Sequence, residues 1–151
     1  MTSYPRVPRR AEAQMTPTPV AGEPGLFQVD GTWGRIRPME AAPGVRTIGE
    51  LELIEHLRAG LPVVDTRRPH FYAEGTIEGA THLDHTEAAD RLGELDRTRA
   101  TVFFCNGPQC AATPDMIEQL IAAGHPAEQI LYYRGGIHDW VTLGLPLVPG
   151  A

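Results

Sequence analysis

The sequence of 151 residues contains no lysine, so all 13 of its basic residues are arginine. Against them stand 19 acidic residues, and the formal net charge at pH 7 is −6. No block of basic residues is present that would neutralise the phosphates of a nucleic acid or an anionic membrane surface. We therefore expect no nucleic acid and no membrane among the partners, and consider small molecules and other proteins instead.

The sequence also lacks long hydrophobic runs. No stretch approaches the length of a membrane-spanning helix, and residues 1–10 contain no apolar segment of signal-peptide length. These absences predict a protein of the reducing cytoplasm. Only two cysteines are present, Cys105 and Cys110, which is a poor basis for the disulfide framework of a secreted domain. The two thiols are therefore candidates for a reactive or metal-binding role.

The length and a hydrophobic content of 42% fit one domain with its own core. Residues 1–25 are rich in proline and poor in large apolar side chains, which predicts an extended, mobile arm. Residues 26–46 contain two short runs of β-forming residues around Asp30-Gly31, a pair typical of a type I′ turn, and predict a hairpin extension. Residues 47–151 then form the main domain.

The main domain alternates apolar strands with helical patterns. Thr47 and Glu50 suggest a capping box that opens a first helix, which ends at Gly60. Further strands are predicted at 61–65, 80–83, 101–104 and 129–133, and further helices at 69–74, 87–95, 113–123 and 137–143. This order predicts an α/β fold in which helices cover both faces of a parallel sheet.

Cys105 stands where a strand ends and a loop leads into a helix, the place at which parallel sheets gather ligands. The loop to Ala111 contains residues that tolerate the backbone curvature needed to direct several N–H groups at one sulfur. Those donors and the following helix dipole would favour the Cys105 thiolate, and equally a persulfide anion. The alternative is that Cys105 is a small apolar residue that ends a buried strand.

A metal site is a weaker interpretation of the same residues. Zinc could be held by Cys105, Cys110, His82 and His85, but the two cysteines are further apart than is usual for zinc ligands. We therefore predict neither a metal nor any other cofactor.

Three stretches in order resemble the rhodanese-like domains. The first, at 63–67 and 75–80, is similar to the family's Asp-x-Arg strand end and its Gly-His-Ile-x-Gly-Ala turn, with Thr76 in place of histidine. The second is Phe103-Phe104-Cys105 with its glycine-containing loop. The third consists of Tyr133-Arg134-Gly135-Gly136-Ile137, followed by Trp140 and a later Gly-Leu-Pro. Together the three stretches cover about Thr47 to Pro149.

This resemblance implies a central parallel sheet of about five strands with helices on both faces. It also implies a sulfurtransferase, in which a persulfide on Cys105 carries a sulfane sulfur. The donor would be thiosulfate or a persulfide, and the acceptor a thiol, a cyanide-like nucleophile or a sulfur-relay protein. Substrate would be bound by the loop residues Asn106, Gly107, Pro108, Gln109, Cys110 and Ala111.

The loop departs from the family pattern in two ways. It has no arginine or lysine, which predicts poor binding of the thiosulfate dianion and of phosphate esters and so disfavours a phosphatase or arsenate reductase. It also contains Cys110, which would either attack a persulfide on Cys105 and leave a disulfide, or turn toward the core. Two other functions stay open: a non-catalytic protein-binding module and a thiol redox switch using both cysteines.

Asp65, Arg67 and Arg134 are predicted to support the site from its surroundings. Asp65 is expected to accept backbone N–H groups of the next turn, and Arg67 to pair with Glu74 or Glu78. Arg134, with its two following glycines, would lie at the rim. Trp140 is expected in the core.

Overall fold

The computed structural model describes residues 18–25, 27–28 and 40–151. The predicted turn at Asp30-Gly31 and residues 1–17 of the predicted arm lie outside the described residues. In the described N-terminal part, β1 (Thr18–Pro19) pairs antiparallel with β2 (Phe27–Gln28).

The rest of the described chain forms one five-stranded sheet flanked by helices. Its strands are β3 (Arg46–Ile48), β4 (Val63–Asp65), β5 (Thr81–His82), β6 (Thr101–Phe104) and β7 (Ile130–Tyr133). They lie in the order β3-β7-β6-β4-β5, and each neighbouring pair is parallel. The helices are α1 (Glu50–Arg58), α2 (Pro69–Glu74), α3 (Ala88–Arg91), α4 (Ala112–Ala122) and α5 (Gly136–Thr142). The predicted α/β fold is confirmed.

Alternate residues of each central strand pack on opposite faces of the sheet. Val63, Phe104 and Tyr133 belong to one buried cluster, while Val64, Phe103 and Tyr132 belong to the other. The first cluster includes side chains of α1 and α5, among them Trp140, and the second includes side chains of α3 and α4. Both faces are thus removed from water, which explains why these strands are continuously apolar in sequence.

The capping box predicted at Thr47 and Glu50 is wrong. Thr47 lies in β3, and α1 begins at Glu50 after Gly49, with no side chain bonded at its N-cap. Arg46, Thr47 and Ile48 pair in register with β7, and Ile48 is buried. Only one residue separates β3 from α1, so the apolar residues of the strand and of the helix form one continuous pattern in the sequence. The segment becomes a strand because it pairs with β7, which is distant in sequence.

The carboxyl ends of β4, β6 and β7 meet at one edge of the sheet, which places the segments after Asp65, Phe104 and Tyr133 side by side. The tail after α5 returns to this part of the fold. Thr76 and Val148 form an antiparallel bridge, with reciprocal N–H to oxygen distances of 2.8 and 2.9 Å. Among the helices in the described ranges, none has the length and apolar character needed to cross a bilayer.

Candidate active site

Cys105 directly follows β6 and is almost completely enclosed, with 2% of its surface exposed. Its thiol points to the carbonyl oxygen of Cys110, with a sulfur to oxygen distance of 3.7 Å. The loop turns through Gly107, whose carbonyl accepts the N–H of Cys110 at 3.0 Å. The chain thereby folds back on itself and brings the two thiols together, so that the Cys105 thiol can donate to an ionised Cys110 sulfur.

The first turn of α5 holds this loop from the other side. The N–H of Ile137 donates to the carbonyl of Cys105 at 3.1 Å, and the N–H of His138 donates to that of Asn106 at 2.8 Å. Gly136 has φ of +61°, and a Cβ at this position would collide with the carbonyl oxygen of Cys105. Only glycine permits this close approach, so the backbone requires Gly136 at this position.

The two thiols differ in their readiness to ionise. Burial raises the pKa of Cys105 well above its ordinary value, and the adjacent Cys110 adds to the rise. The hydrogen bond from Cys105 lowers the pKa of Cys110 to about 7, aided by the N–H groups of Ala112 and Asn106 and by the charge of Arg67. Of the loop N–H groups, that of Asn106 thus acts on Cys110, and stabilisation of a Cys105 thiolate or persulfide by the loop stays a prediction.

Two threonines stand behind Cys105. Thr113, in the first turn of α4, opposes the rise in the pKa of Cys105, because its hydroxyl and N–H can donate to the sulfur when it is ionised. The Thr113 hydroxyl also lies 2.8 Å from that of Thr66, whose hydroxyl donates to the carbonyl of Phe104 at 2.9 Å. These fully buried hydroxyls place polar groups beside the enclosed sulfur.

Arg67 connects three parts of the site and is 1% exposed. Its guanidinium forms a bidentate pair with Asp65, at 2.9 and 2.7 Å, and donates to the side-chain oxygen of Asn106 at 3.1 Å. It also donates to the carbonyl of Gly75. Thr76, at the position of the family's histidine, donates to Asp65 at 2.8 Å. A buried ion pair with its other bonds satisfied thus fixes the strand end beside the loop.

The predicted partner of Arg67 is wrong, whereas that of Asp65 is confirmed. Arg67 pairs with Asp65 rather than with Glu74 or Glu78, because two residues on the same strand end bring the carboxylate and guanidinium into a planar, two-bond arrangement. Asp65 does accept the N–H of the next turn, from Arg67, at 3.0 Å.

A small cavity of about 70 Å³ opens beside the loop. Cys110 faces it, together with Asn106 and Ala112. Its other wall is formed by Arg67, Arg68, Phe71 and His85. Arg68 is held there by Thr86, at 3.0 Å, and by Asp84, at 3.5 Å. The loop itself has no cationic side chain, but the two arginines that follow β4 bring guanidinium groups to the same cavity.

His82 contacts neighbouring residues at the carboxyl edge of the sheet. Its Nε2 lies 2.6 Å from the carbonyl oxygen of Arg67, and its ring stacks on Tyr72 with centroids 4.4 Å apart. Within the described ranges, no group of three or more His, Cys, Asp or Glu side chains is arranged to hold a metal ion.

A family model described as Rhodanese-like domain matches residues 50–143, which is more than half of the chain. The chain belongs to the rhodanese-like domain family. Its fold agrees with solved members of that family. A rhodanese-like domain from Anabaena superposes with a TM-score of 0.59 at 22% identity, covering 70% of this chain and 79% of that one. A rhodanese-related protein from Thermoplasma volcanium gives 0.55 at 22% identity, over 68% and 97%.

The similar proteins include a transcriptional regulator and several sulfurtransferases. Over 105 residues, 69% of this chain, the rhodanese-like domain is 34% identical to the HTH-type transcriptional regulator Rv0324 of Mycobacterium tuberculosis. Over 60 residues, 37% of this chain, it is 47% identical to the thiosulfate sulfurtransferase GlpE of Pseudomonas entomophila. The matches span 45% of the regulator and 55% of GlpE, about half of each. A sulfurtransferase of Allochromatium vinosum is 31% identical over 86 residues, 57% of this chain and 77% of that protein. At the level of the family, the rhodanese-like domain is of the sulfurtransferase type.

The structure of the rhodanese-like domain brings most of the predicted site residues together. Cys105, the loop residues, Asp65 and Arg67 converge, whereas Arg134 is not among the residues that line the cavity. Burial and the charge of Glu50 raise the pKa of Asp139, and Arg134 opposes that rise. In the loop, the side-chain oxygen of Gln109 is buried without a hydrogen-bond partner among the described residues.

Sequence reasoning missed Thr66, Thr113, Arg68 and His85 as site residues. A signal existed for Arg68 and His85, because each lies only three residues beyond the last residue of a neighbouring parallel strand. The two threonines carried no such signal. They are 47 positions apart and meet only because α4 packs over the end of β4.

Proposed function

We propose that this rhodanese-like domain is a sulfurtransferase that carries a sulfane sulfur as a persulfide on Cys105, its catalytic cysteine. The donor is a small sulfur compound such as thiosulfate or a persulfide, and the acceptor is a thiol, a cyanide-like nucleophile or a sulfur-relay protein. We place the reaction in the cytoplasm, where thiols are kept reduced.

The chemistry divides into two nucleophilic displacements. Loading forms a bond between the Cys105 sulfur and the sulfane sulfur, while the remainder of the donor leaves with the bonding electron pair. In transfer, an acceptor attacks the outer sulfur, and Cys105 leaves as the thiolate. No net oxidation of the protein occurs over one cycle.

The observation that carries the proposal is the position of Cys105. It lies at the carboxyl edge of the sheet, beside Thr113, whose hydroxyl and N–H can donate to the sulfur when it is ionised. These donors would interact more strongly with an anionic sulfur than with a neutral one. The similarity to GlpE and to the Allochromatium sulfurtransferase adds independent support.

The test is a panel of donors and acceptors run on the parent protein, Cys105→Ser and Cys105→Ala. We expect the parent to gain one sulfur and to pass it to an acceptor, and both variants to lose turnover completely. If no donor leaves a sulfur on the parent protein, or if both variants turn over normally, the proposal fails.

A second candidate is a thiol switch in which Cys105 and Cys110 form a disulfide. It is favoured by the contact between the two thiols and by the similarity to a protein named as a transcriptional regulator. Titration of the parent against a glutathione couple, with thiols counted at each potential, tests it. A disulfide that forms reversibly near the cytoplasmic potential, together with an absence of persulfide turnover, would favour the switch over transfer.

Absence of turnover would also favour a non-catalytic binding module, the third function left open by the sequence. Its distinguishing result is a protein partner that binds Cys105→Ala as tightly as the parent.

A further inference from the structure

The two thiols have unequal access to the cavity. Cys110 is among the residues that line it, together with Asn106 and Ala112, whereas Cys105 is 2% exposed and does not line it. Cys105 is enclosed by its own loop, by Thr113 and by the start of α5. A molecule that enters the cavity therefore meets the sulfur of Cys110 before that of Cys105.

The cavity also has a charge that suits a particular class of donor. Arg67, Arg68 and His85 face the space next to Cys110, and no carboxylate is among the residues that line it. Asp65 and Asp84, which pair with the two arginines, lie behind them. The two guanidinium groups attract an anion and would also stabilise the anionic leaving group of a sulfur donor.

We propose that Cys110 is the receiving nucleophile of the site: an anionic sulfane-sulfur donor delivers its sulfur to Cys110 in the cavity, and Cys110 passes it to Cys105. This inference rests on the proposed sulfur transfer and adds the route by which the sulfur reaches Cys105. Arg68 and His85 are positioning residues for the donor.

Both steps conserve atoms and electrons. With thiosulfate, the Cys110 thiolate attacks the sulfane sulfur, the bond between the two sulfurs of thiosulfate breaks, and sulfite leaves with the electron pair. Cys105 then gives its proton to the Cys110 persulfide anion, and the Cys105 thiolate attacks the outer sulfur. The Cys110 sulfur leaves as a thiolate with its electron pair, and Cys105 holds the persulfide.

The contact between the thiols makes the second step direct. In the neutral pair the Cys105 thiol points to the carbonyl oxygen of Cys110, 3.7 Å from its sulfur, and it can turn to the Cys110 sulfur once that sulfur is ionised. The pKa values also favour loading at Cys110 before Cys105. Cys110 has the lower pKa, and a thiol with a pKa near the ambient pH is the best attacking group.

The experiment follows the loading of each cysteine with time. Reduced parent, Cys110→Ser and Cys105→Ser are mixed with thiosulfate or, in a separate arm, glutathione persulfide, and the reaction is stopped by alkylation before mass spectrometry. Because no arginine or lysine separates the cysteines, both lie on the tryptic peptide 100–134. The single-cysteine variants and the fragment ions of the parent assign the sulfur to its position.

We expect Cys105→Ser to gain one sulfur on Cys110 at close to the parental initial rate, because serine keeps a hydrogen-bond donor beside Cys110. Cys110→Ser should load Cys105 at least about tenfold more slowly, since that thiol is enclosed and its pKa is raised. In the parent, sulfur should be found first on Cys110 and later on Cys105, without release of hydrosulfide.

Parental loading of Cys105 in Cys110→Ser overturns the relay but leaves sulfur transfer at Cys105 intact. The relay is also overturned if Cys105→Ser stays unloaded, or if the parent releases one hydrosulfide and keeps a disulfide. A parent that takes no sulfur from either donor contradicts the proposed function itself. Thermal unfolding of each variant is compared with the parent, and Cys110→Ala and Cys105→Ala replace any serine variant that unfolds early.

Discussion

At the scale of the residue, the properties of the two cysteines depend on their contacts and not on the sequence around them. They share one loop, yet Cys105 is enclosed and Cys110 faces a cavity lined by two arginines and a histidine. One thiol keeps its proton and the other releases it readily, because the hydrogen bond between them stabilises negative charge on only one sulfur.

The hydrogen bond from Cys105 is the largest cause of the lowered pKa of Cys110, which makes it testable. In the parent, the rate of alkylation of Cys110 should rise with pH through a midpoint of about 7. Cys105→Ala removes the donor, so the midpoint should move upward. Cys105→Ser keeps a hydroxyl donor and should move it less. The same midpoint in all three proteins would show that the bond does not control ionisation.

The Thr113 hydroxyl should affect turnover through the charge on the Cys105 sulfur. Hydrogen bonds to charged groups contribute about 1.5–3 kcal/mol, so Thr113→Val should slow sulfur transfer by about tenfold or more. Thr113→Ser retains the hydroxyl and should restore most of the rate in the same steady-state assay. Parental turnover of Thr113→Val, or an equal loss in both variants, would contradict a role for the hydroxyl.

At the scale of the element, the active-site loop is held by α5 as much as by β6 and α4. Two N–H groups of α5 bond to carbonyls of the loop, and the approach is close enough that Gly136 has no room for a side chain. The conformation of the loop is therefore coupled to the packing of α5, far along the chain from Cys105.

Gly136 and Gly144 form a matched pair for testing this coupling. Both have positive φ, of +61° and +77°, but a Cβ at Gly144 would meet no atom within 4 Å. Gly144→Ala should lower the free energy of unfolding by about 1–2 kcal/mol, the ordinary cost of this conformation. Gly136→Ala adds a collision with the loop and should lower it by more than about 3 kcal/mol in a urea titration. Equal losses of unfolding free energy would show that the loop can move away from the added methyl group without destabilising the fold.

Strands whose residues follow one clear pattern could be predicted from the sequence, whereas a short strand that directly adjoins a helix could not. The strands before Cys105 and Asp65 stand out because both of their faces are buried and their residues are continuously apolar. Thr47 and Ile48 of β3 fall within the helical pattern of the sequence, because a three-residue strand has too little periodicity of its own and pairs with a strand distant in sequence.

The candidate site shows the same division. Cys105, Asp65 and Arg67 follow strands and so could be placed at the sheet edge in advance. The hydrogen bonds among Thr66, Thr113 and Cys105 depend on how α4 packs over the sheet, which no local pattern encodes. The relative pKa values of the two thiols also follow from burial, which only the folded structure determines.

At the scale of the whole molecule, the charge of the chain and that of the cavity oppose each other. The chain has a formal net charge of −6, whereas Arg67, Arg68 and His85 line the cavity beside Cys110. An anionic donor is thus repelled at long range and attracted at short range. Salt weakens the long-range interaction more than the short, partly buried one.

We therefore expect the second-order rate constant for loading by thiosulfate to rise as ionic strength increases from about 0.01 to 0.15 M, over which the Debye length falls from about 30 to 8 Å. A neutral organic trisulfide should load at a rate that does not depend on salt. Stopped-flow measurement of both donors on the parent protein checks this. A thiosulfate rate that falls with added salt would mean that the cavity charges dominate even at long range.

The bridge between Thr76 and Val148 has a bearing on how this protein is engineered. Thr76 is 3% exposed, and its two backbone groups are bonded to Val148 while its hydroxyl is bonded to Asp65, the partner of Arg67. Trimming the chain after Leu145 would leave those backbone groups buried and unbonded, next to the residues that position the active-site loop. The segment that contains Val148 thus stabilises the edge of the sheet that holds Cys105, and shortening the protein before this segment should destabilise that edge.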